Sequence, residues 1–277
     1  MMILDGHIHI VNTQSKRDPL LRAMEEAGVD GGLVMSAMPS NMNPEAEAPE
    51  RRLEHVLEFC QDQELLFPFF FLNPVEETAL EQVDRAVRSG IAGFKIICTN
   101  FYPSDPRCVE SYRHIASYKK PLVFHSGILW DGLNASGNYN KPTEFEVLLS
   151  IPGMRFALAH ISWPWCDECV AVYGKFNNAT LCSGGITTGE MVIDNTPGTP
   201  KIYREDALRK VLLTGYDVLQ NMYFGLDNTV ENYNVEWAKG WIKTDMTVYE
   251  ELGLDSDAIQ GIFSRNLLRF INMEPRR

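Results

Sequence analysis

The sequence predicts a single (β/α)8, or TIM, barrel spanning residues 1–277. Two observations carry that prediction. Eight short apolar runs alternate along the chain with amphipathic helical stretches, as strands alternate with crossover helices in a parallel sheet. Several of the runs ("GLVMSA", "LLFPFFFL", "PLVF") are apolar throughout, which fits strands buried on both faces. The length agrees with such a barrel, which typically takes about 250 residues. The chain has 277 residues, of which 45% are hydrophobic, and no low-complexity linker or shift of composition divides it.

In order, the expected strands are Met2–His9, Gly32–Ala37, Leu65–Leu72, Ala92–Ile97, Pro121–His125, Arg155–His160, Ala179–Ser183 and Met222–Asp227. Start and stop signals frame the helices between them. Asp18-Pro19 reads as a cap followed by proline at the first helical position, and Gly28 as the stop. Asn73-Pro74 opens a stretch with Leu80, Val83 and Val87 at helical spacing, and Gly90 closes it. Arg204–Leu219 and Asp255–Phe263 read as helices too. Ser183–Ile202, rich in Gly, Thr and Pro, reads as a long loop after the seventh strand.

Composition narrows the function classes. A net charge of −12 opposes binding to phosphate backbones, so no nucleic-acid partner is expected. No apolar run approaches the roughly 20 residues a membrane helix needs. The opening "MMILDGHIHI" lacks a basic region, an apolar stretch and a small-residue cleavage site, so a cytoplasmic protein without a membrane partner is expected. Six cysteines without framework spacing fit reduced thiols in that compartment. Cys166 and Cys169 form a Cys-x-x-Cys pair, but they open an expected helix with no second pair to complete a zinc site, so they read as structural.

In barrels of this kind chemistry gathers at the C-terminal ends of the strands, and that is where the polar residues fall. Asp5, His7 and His9 alternate along the first strand, which in a regular strand places them on one face. Lys95 interrupts the apolar fourth strand. His125, His160 and Asp227 end the fifth, sixth and eighth. The other two histidines, His55 and His114, fall on helical stretches and are expected to be partly exposed. A barrel brings the strand ends round one mouth, where burying four imidazoles, a carboxylate and an amine without a partner would cost several kcal/mol. A divalent metal takes neutral imidazole nitrogen and carboxylate oxygen as ligands and removes most of that cost.

"DGHIH", "FHSG", "LAHIS" and "FGLD", in that order at strands 1, 5, 6 and 8, resemble the amidohydrolase superfamily of metal-dependent barrel hydrolases, and within it the amidohydrolase 2 branch. The resemblance extends over essentially the whole chain, down to "IFSRNLLRFI". It implies that His7, His9, His125 and Asp227 are metal ligands and that Asp227 also takes a proton from water. It implies that His160 binds a second metal or orients the water and the developing oxyanion. Lys95 would either carry a carbamate bridging two metals or act as a free amine toward an acidic substrate group. Asp5 reads as an outer partner of the ligands or a buried hydrogen-bond anchor. One or two divalent ions are implied, zinc first, with manganese or iron as alternatives.

The implied reaction is hydrolysis of an amide, ester or lactone bond in a small, cyclic, aromatic or sugar-derived substrate, with Asp227, His160 and Lys95 catalytic. The branch also contains metal-dependent decarboxylases of aromatic and unsaturated acids, which is the alternative reading. A non-catalytic small-molecule-binding barrel is a third. Asn100, Tyr102, Trp130, Trp163, Trp165 and Asn228 follow the strand ends and are expected to line the pocket. Two departures from the family pattern fall there: Trp163 and Trp165 follow His160 where a glycine is usual, and Leu226 precedes Asp227 where a small residue is usual. A homo-oligomer is expected by family analogy alone.

Overall fold

The structure is a computed structural model describing residues 1–130, 135–177, 189–198 and 201–272. Its strands are β1 (Leu4–His9), β2 (Gly31–Met35), β3 (Leu66–Phe71), β4 (Gly93–Ile96), β5 (Leu122–Phe124), β6 (Met154–Leu158), β7 (Gly189–Asp194), β8 (Met222–Tyr223) and β9 (Asn228–Thr229). All pair in parallel, in the order β8-β7-β6-β5-β4-β3-β2-β1-β9. The two ends of that order belong to one stretch of chain. β8 pairs with β7, while β9 pairs with β1 through Ile8–Asn228 and His9–Thr229. Between them the Gly6 N–H donates to Phe224 O at 2.8 Å. Residues 222–229 therefore act as one interrupted eighth strand, and the sheet curls until its edges meet through it. That is the TIM-barrel architecture the sequence predicts.

The helices described are α1 (Arg17–Ala27), α2 (Pro49–Cys60), α3 (Ala79–Arg88), α4 (Pro106–Ser117), α5 (Cys166–Asn177), α6 (Lys201–Leu213) and α7 (Val235–Glu251), with further helical turns over residues 256–270. Gly28 stops α1 as expected, in the left-handed conformation at φ 74°, where a Cβ would add strain. Asp18-Pro19 does not begin the helix; Arg17 does, after Lys16. Asn73-Pro74 likewise precedes α3 by a turn, because Asn73 Oδ1 accepts the Val75 N–H at 3.4 Å and holds the chain in a local turn instead of a helix. The helix expected at Arg204–Leu219 is α6, which starts and ends earlier. Asp255 caps the last helical stretch by accepting the Ala258 N–H.

The largest correction concerns the seventh strand. Ala179–Ser183 lies outside the described residues, and β7 runs over Gly189–Asp194, inside the segment expected to be a loop. "MVID" is apolar until its last residue, and Met191, Val192 and Ile193 are all buried, as a strand between β6 and β8 must be.

Two apolar clusters show which way each strand residue faces. One, between sheet and helices, holds Ile8, Phe94, Ile96, Leu122, Phe124, Met191 and Ile193. The other fills the barrel with Leu4, Leu33, Met35, Phe69, Val123, Ala157, Val192 and Tyr223, and is closed from below by Leu267, Phe270 and Ile271. The final helical segment thus plugs the N-terminal end of the barrel, and Asn266 ties it to the sheet by donating to Leu219 O and Met222 O, both at 2.7 Å. The open end of the barrel is the other one, where the strands' C-terminal ends lie.

β1 breaks the regular alternation. Leu4 and Asp5 pair with Gly31 and Gly32, but Ile8 and His9 pair with Val34 and Met35, so Gly6 and His7 together oppose Leu33. This is a β-bulge. It lets Leu4 and His9, an odd number of residues apart, both face inward. It also corrects the expectation that Asp5 shares the face of His7 and His9: Asp5 faces Tyr233, a member of the outer cluster. Among the described residues no helix is long and apolar enough to cross a membrane.

Candidate metal centre

The bulge brings both histidines of β1 into the mouth, with ring centroids 5.0 Å apart. Asp227 meets them from the break between β8 and β9. Its Oδ1 lies 3.5 Å from His9 Nε2 and 3.7 Å from His7 Nε2, and the three donor atoms all lie within 4.8 Å of one another. Four-coordinate zinc with bonds of about 2.0–2.1 Å spaces its ligand atoms roughly 3.3 Å apart. The two Asp227–histidine separations already lie within about half an ångström of that spacing, and the remaining pair of donors needs to close by no more than about 1.5 Å. Their chemistry fits as well, since two imidazoles and a carboxylate are borderline-hard ligands suited to zinc, manganese or iron.

His7 is fixed in the form a ligand requires. Its Nδ1 lies 2.7 Å from Asp194 Oδ2, with both side chains buried. A carboxylate accepts only, so Nδ1 carries the proton and the Nε2 lone pair faces the cavity. Asp194 ends β7, and its Oδ1 accepts the Thr196 N–H at 2.9 Å and the Thr196 hydroxyl. Burial alone would raise the Asp194 pKa, but the electrostatic pull and hydrogen bond of His7 hold it below the usual carboxylate value. Sequence reading missed this residue because it assigned the seventh strand elsewhere. The signal that marks it is the one that marked Asp227: a carboxylate ending an apolar run.

Asp5 anchors the backbone at His7 and next to Asp227. One oxygen, Oδ1, accepts the N–H of His7 at 3.0 Å and of Leu226 at 2.8 Å, while Oδ2 accepts the Tyr233 hydroxyl at 3.2 Å. A single buried carboxyl group thus ties together the chain segments that carry His7 and Asp227. Burial pushes its pKa up to about 8 against the pull of those hydrogen bonds.

Lys95, fully buried on β4, brings Nζ to 3.2 Å from His7 Nε2. Desolvation pushes its pKa down to about 8. Burial also lowers the pKa of His7, takes that of His125 well below its ordinary value and brings His160 to about 4, so the cavity's buried imidazoles are neutral at pH 7. At Asp227 burial acts upward, but the His9 hydrogen bond and the electrostatic pull of His7 and His160 prevail and hold its pKa below the usual carboxylate range.

His125 and His160 stand beside this cluster without joining it. Their rings are 4.9 Å apart, and His160 is 5.4 Å from His7. His125 Nε2 meets Ile128 O at 3.1 Å, and His160 Nδ1 is buried with no hydrogen-bond partner among the described residues. His160, Ile161 and Ser162 are consecutive left-handed residues with φ of 62°, 47° and 55°, and Asp227 has φ 57°. Each costs about 1–2 kcal/mol outside glycine, and backbone strain of this kind concentrates at functional sites. Burial of the Ile161 side chain in the outer cluster opposes that cost.

The cavity encloses about 270 Å³. Its titratable wall is His7, His9, Lys95, His125, His160 and Asp227, and its apolar wall includes Met38, Met42, Ile97, Trp130 and Trp163. Of the expected lining residues, Trp130 and Trp163 are therefore present, and the two methionines are additional. Four others lie elsewhere. Asn100 is exposed. Tyr102 packs edge-on against Tyr139, Trp165 lies under Lys141, and Asn228 is buried with Oδ1 accepting the Asn234 N–H at 3.3 Å. Away from the mouth, His55 is buried, not partly exposed, and its Nε2 meets Ser15 O at 3.2 Å. His114 is half-buried against Asp84. Cys166 and Cys169 are buried free thiols at the start of α5. A larger groove of about 700 Å³, lined by Asp217, Arg265 and Arg269 among others, borders the plugged end of the barrel and contains none of these titratable strand ends.

Among solved structures, a 2,6-dihydroxybenzoate decarboxylase in complex with 2,6-dihydroxybenzoate superposes with a TM-score of 0.65 at 12% identity, over 98% of both chains. A protein described as a probable 2-pyrone-4,6-dicarboxylic acid hydrolase from Acinetobacter baumannii, with citric acid bound, gives 0.61 at 12%, over 99% of this chain and 100% of that one. A dihydroorotase from Campylobacter jejuni gives 0.57 at 14%, over 99% and 84%. These neighbours are TIM-barrel members of the amidohydrolase superfamily, the class the strand-end motifs resemble, and at such identities the likeness is one of fold. No protein-family model matches the chain, and no curated protein does.

Proposed function

We propose that the protein is a metal-dependent hydrolase that cleaves a C–N amide or a C–O ester or lactone bond in a small, ring-sized substrate. The observation that carries this reading is the convergence of His7 Nε2, His9 Nε2 and Asp227 Oδ1, with Asp194 fixing the His7 tautomer. A divalent ion held by these residues, zinc by preference, supplies Lewis-acid polarisation of the scissile carbonyl and lowers the pKa of water. Asp227, ionised and open to the cavity, accepts the proton at its remaining oxygen and returns it to the leaving group. His160, neutral at pH 7, donates one N–H toward the developing oxyanion, and the Lys95 ammonium adds positive charge beside it. Ligand sites commonly enclose about 300–1,000 Å³, so a cavity of about 270 Å³ favours a single ring. Met38, Met42, Trp130 and Trp163 supply the apolar surface for it.

Lys95 favours a second reading. A buried ammonium beside the donor cluster also suits a substrate carboxylate, as non-oxidative decarboxylation requires. A panel of lactones, cyclic amides and aromatic acids, assayed in parallel for acid release and for carbon dioxide, separates the two. The hydrolase reading expects acid release without carbon dioxide and its loss in Asp227→Asn. Carbon dioxide release at the same rate as substrate loss would replace it with the decarboxylase.

A further inference from the structure

Behind Asp194 the next residue of the chain faces the other way. Asp194 points into the barrel toward His7, and Asn195 points outward between the sheet and two helices. There it donates both N–H bonds of its amide, to Asp245 Oδ2 at 3.2 Å and to the Tyr249 hydroxyl at 3.0 Å. Asp245 is held in turn by Arg204 in a two-pronged contact, Nε to Oδ1 at 3.1 Å and Nη2 to Oδ2 at 2.7 Å. Tyr249 reaches the same carboxylate at 3.3 Å, and the guanidinium lies over the Trp241 ring at 5.8 Å. Arg204 comes from α6, and Asp245 and Tyr249 from α7. All of these groups are buried.

A buried ion pair of this kind adds little net stability, because desolvation offsets its attraction. In some proteins such pairs serve to fix one arrangement over others. Here the arrangement they fix is the end of β7. The last ladder bonds of the strand, Ile193 N–H to Asn221 O and Asn195 N–H to Tyr223 O, set its position along the sheet. The Asn195 amide, clamped from outside, sets the rotation that turns Asp194 inward.

We propose that Asn195, held by the Arg204–Asp245 pair and Tyr249, is a positioning residue that locks His7 in its Nδ1–H tautomer through Asp194. The inference rests on the metal-centre reading for its purpose, not for its geometry. The link runs from two outer helices, through one peptide unit, to the imidazole whose Nε2 faces the cavity.

The test reads the tautomer directly, in metal-free protein, by ¹⁵N nuclear magnetic resonance of the histidine rings, with zinc affinity measured alongside by chelator competition. The variants are Asn195→Ala, which leaves the Arg204–Asp245–Tyr249 trio intact, Asp194→Asn, and the two combined. Asn195→Ser restores one donor and serves as the conservative rescue. In the parent protein His7 is expected as the Nδ1–H form. In Asn195→Ala it becomes a mixture of tautomers and zinc affinity falls about 10-fold, within the range for outer partners of metal ligands, while Asn195→Ser recovers part of both. In the combined variant the loss is no larger than in Asp194→Asn alone, since Asn195 acts through Asp194. An Asn195→Ala protein that keeps a pure Nδ1–H form, or a loss that adds in full to that of Asp194→Asn, would overturn the proposal. A parent protein with the expected tautomer and no affinity for zinc, manganese or iron would instead overturn the metal-centre reading and leave the positioning result standing.

Discussion

Lys95 is fully buried beside His7, and desolvation pushes its pKa from 10.5 down to about 8. A base with a lowered pKa in the folded state gives full stability above its unfolded value and loses it as pH falls through the folded value. At pH 7 the metal-free protein therefore carries the whole penalty. Lys95→Met is expected to stabilise it by about 1–3 kcal/mol at pH 7 in urea denaturation, with the gain shrinking toward pH 10, while activity falls. Equal or lower stability of the variant at pH 7 would remove the desolvation account. Lys95, His7, His9, His160 and Asp227 are all legible in the sequence, because a titratable residue ending an apolar run is conspicuous. Asp194 satisfies the same rule, but the run at Ala179–Ser183 competes with its own for the place of the seventh strand, and so hides it. Asn100, Tyr102, Trp165 and Asn228 show the opposite limit. Their place after a strand is readable, but the direction of a side chain on a loop depends on contacts such as the Tyr102–Tyr139 and Lys141–Trp165 packing, which no spacing rule encodes.

Among the elements, β1 shows why strand identity is easier to read than strand geometry. Its apolar run predicts a strand, but the bulge at Gly6 and His7 lies where Gly6 packs against Tyr223 and Phe224, more than 200 positions away. Two glycines separate element-level from site-level effects. Gly28, at φ 74° with no atom within 4 Å of where a Cβ would stand, ends α1 far from the mouth. Gly28→Ala is expected to cost about 1 kcal/mol with zinc affinity unchanged. Gly225 lies where the interrupted eighth strand passes the ligands, and a Cβ there would stand 2.2 Å from Thr196 Oγ1 and 3.1 Å from His7 Cβ. Gly225→Ala is expected to cost about 1–3 kcal/mol through overpacking and to weaken zinc binding as well. Denaturation and zinc titration of both variants check this, and unchanged zinc affinity in Gly225→Ala would show that the close approach does not set the ligands.

At the scale of the molecule, the barrel gathers residues from opposite ends of the chain, His7 and Asp227, and seals its other end with residues 256–271, so the polar groups converge at one mouth. That architecture is legible from the alternation of apolar runs and helices. Its closure through a split eighth strand is not, because no local pattern shows that residues 222–223 and 228–229 pair with different neighbours. Anything that binds the folded state alone stabilises it by mass action, so chelation of a bound ion is expected to lower the melting temperature by roughly 5–10 °C, given about 2.7 kcal/mol at an ion concentration 100 times Kd. The most direct measurement is the metal content of the purified protein by elemental analysis, before and after incubation with zinc, manganese or iron, alongside a His7→Ala, Asp227→Asn double variant. At least one ion per chain in the parent protein and none in the variant is the predicted result. A parent protein that remains metal-free after incubation, or a double variant that binds as much metal as the parent, would contradict the metal centre on which the proposed function depends.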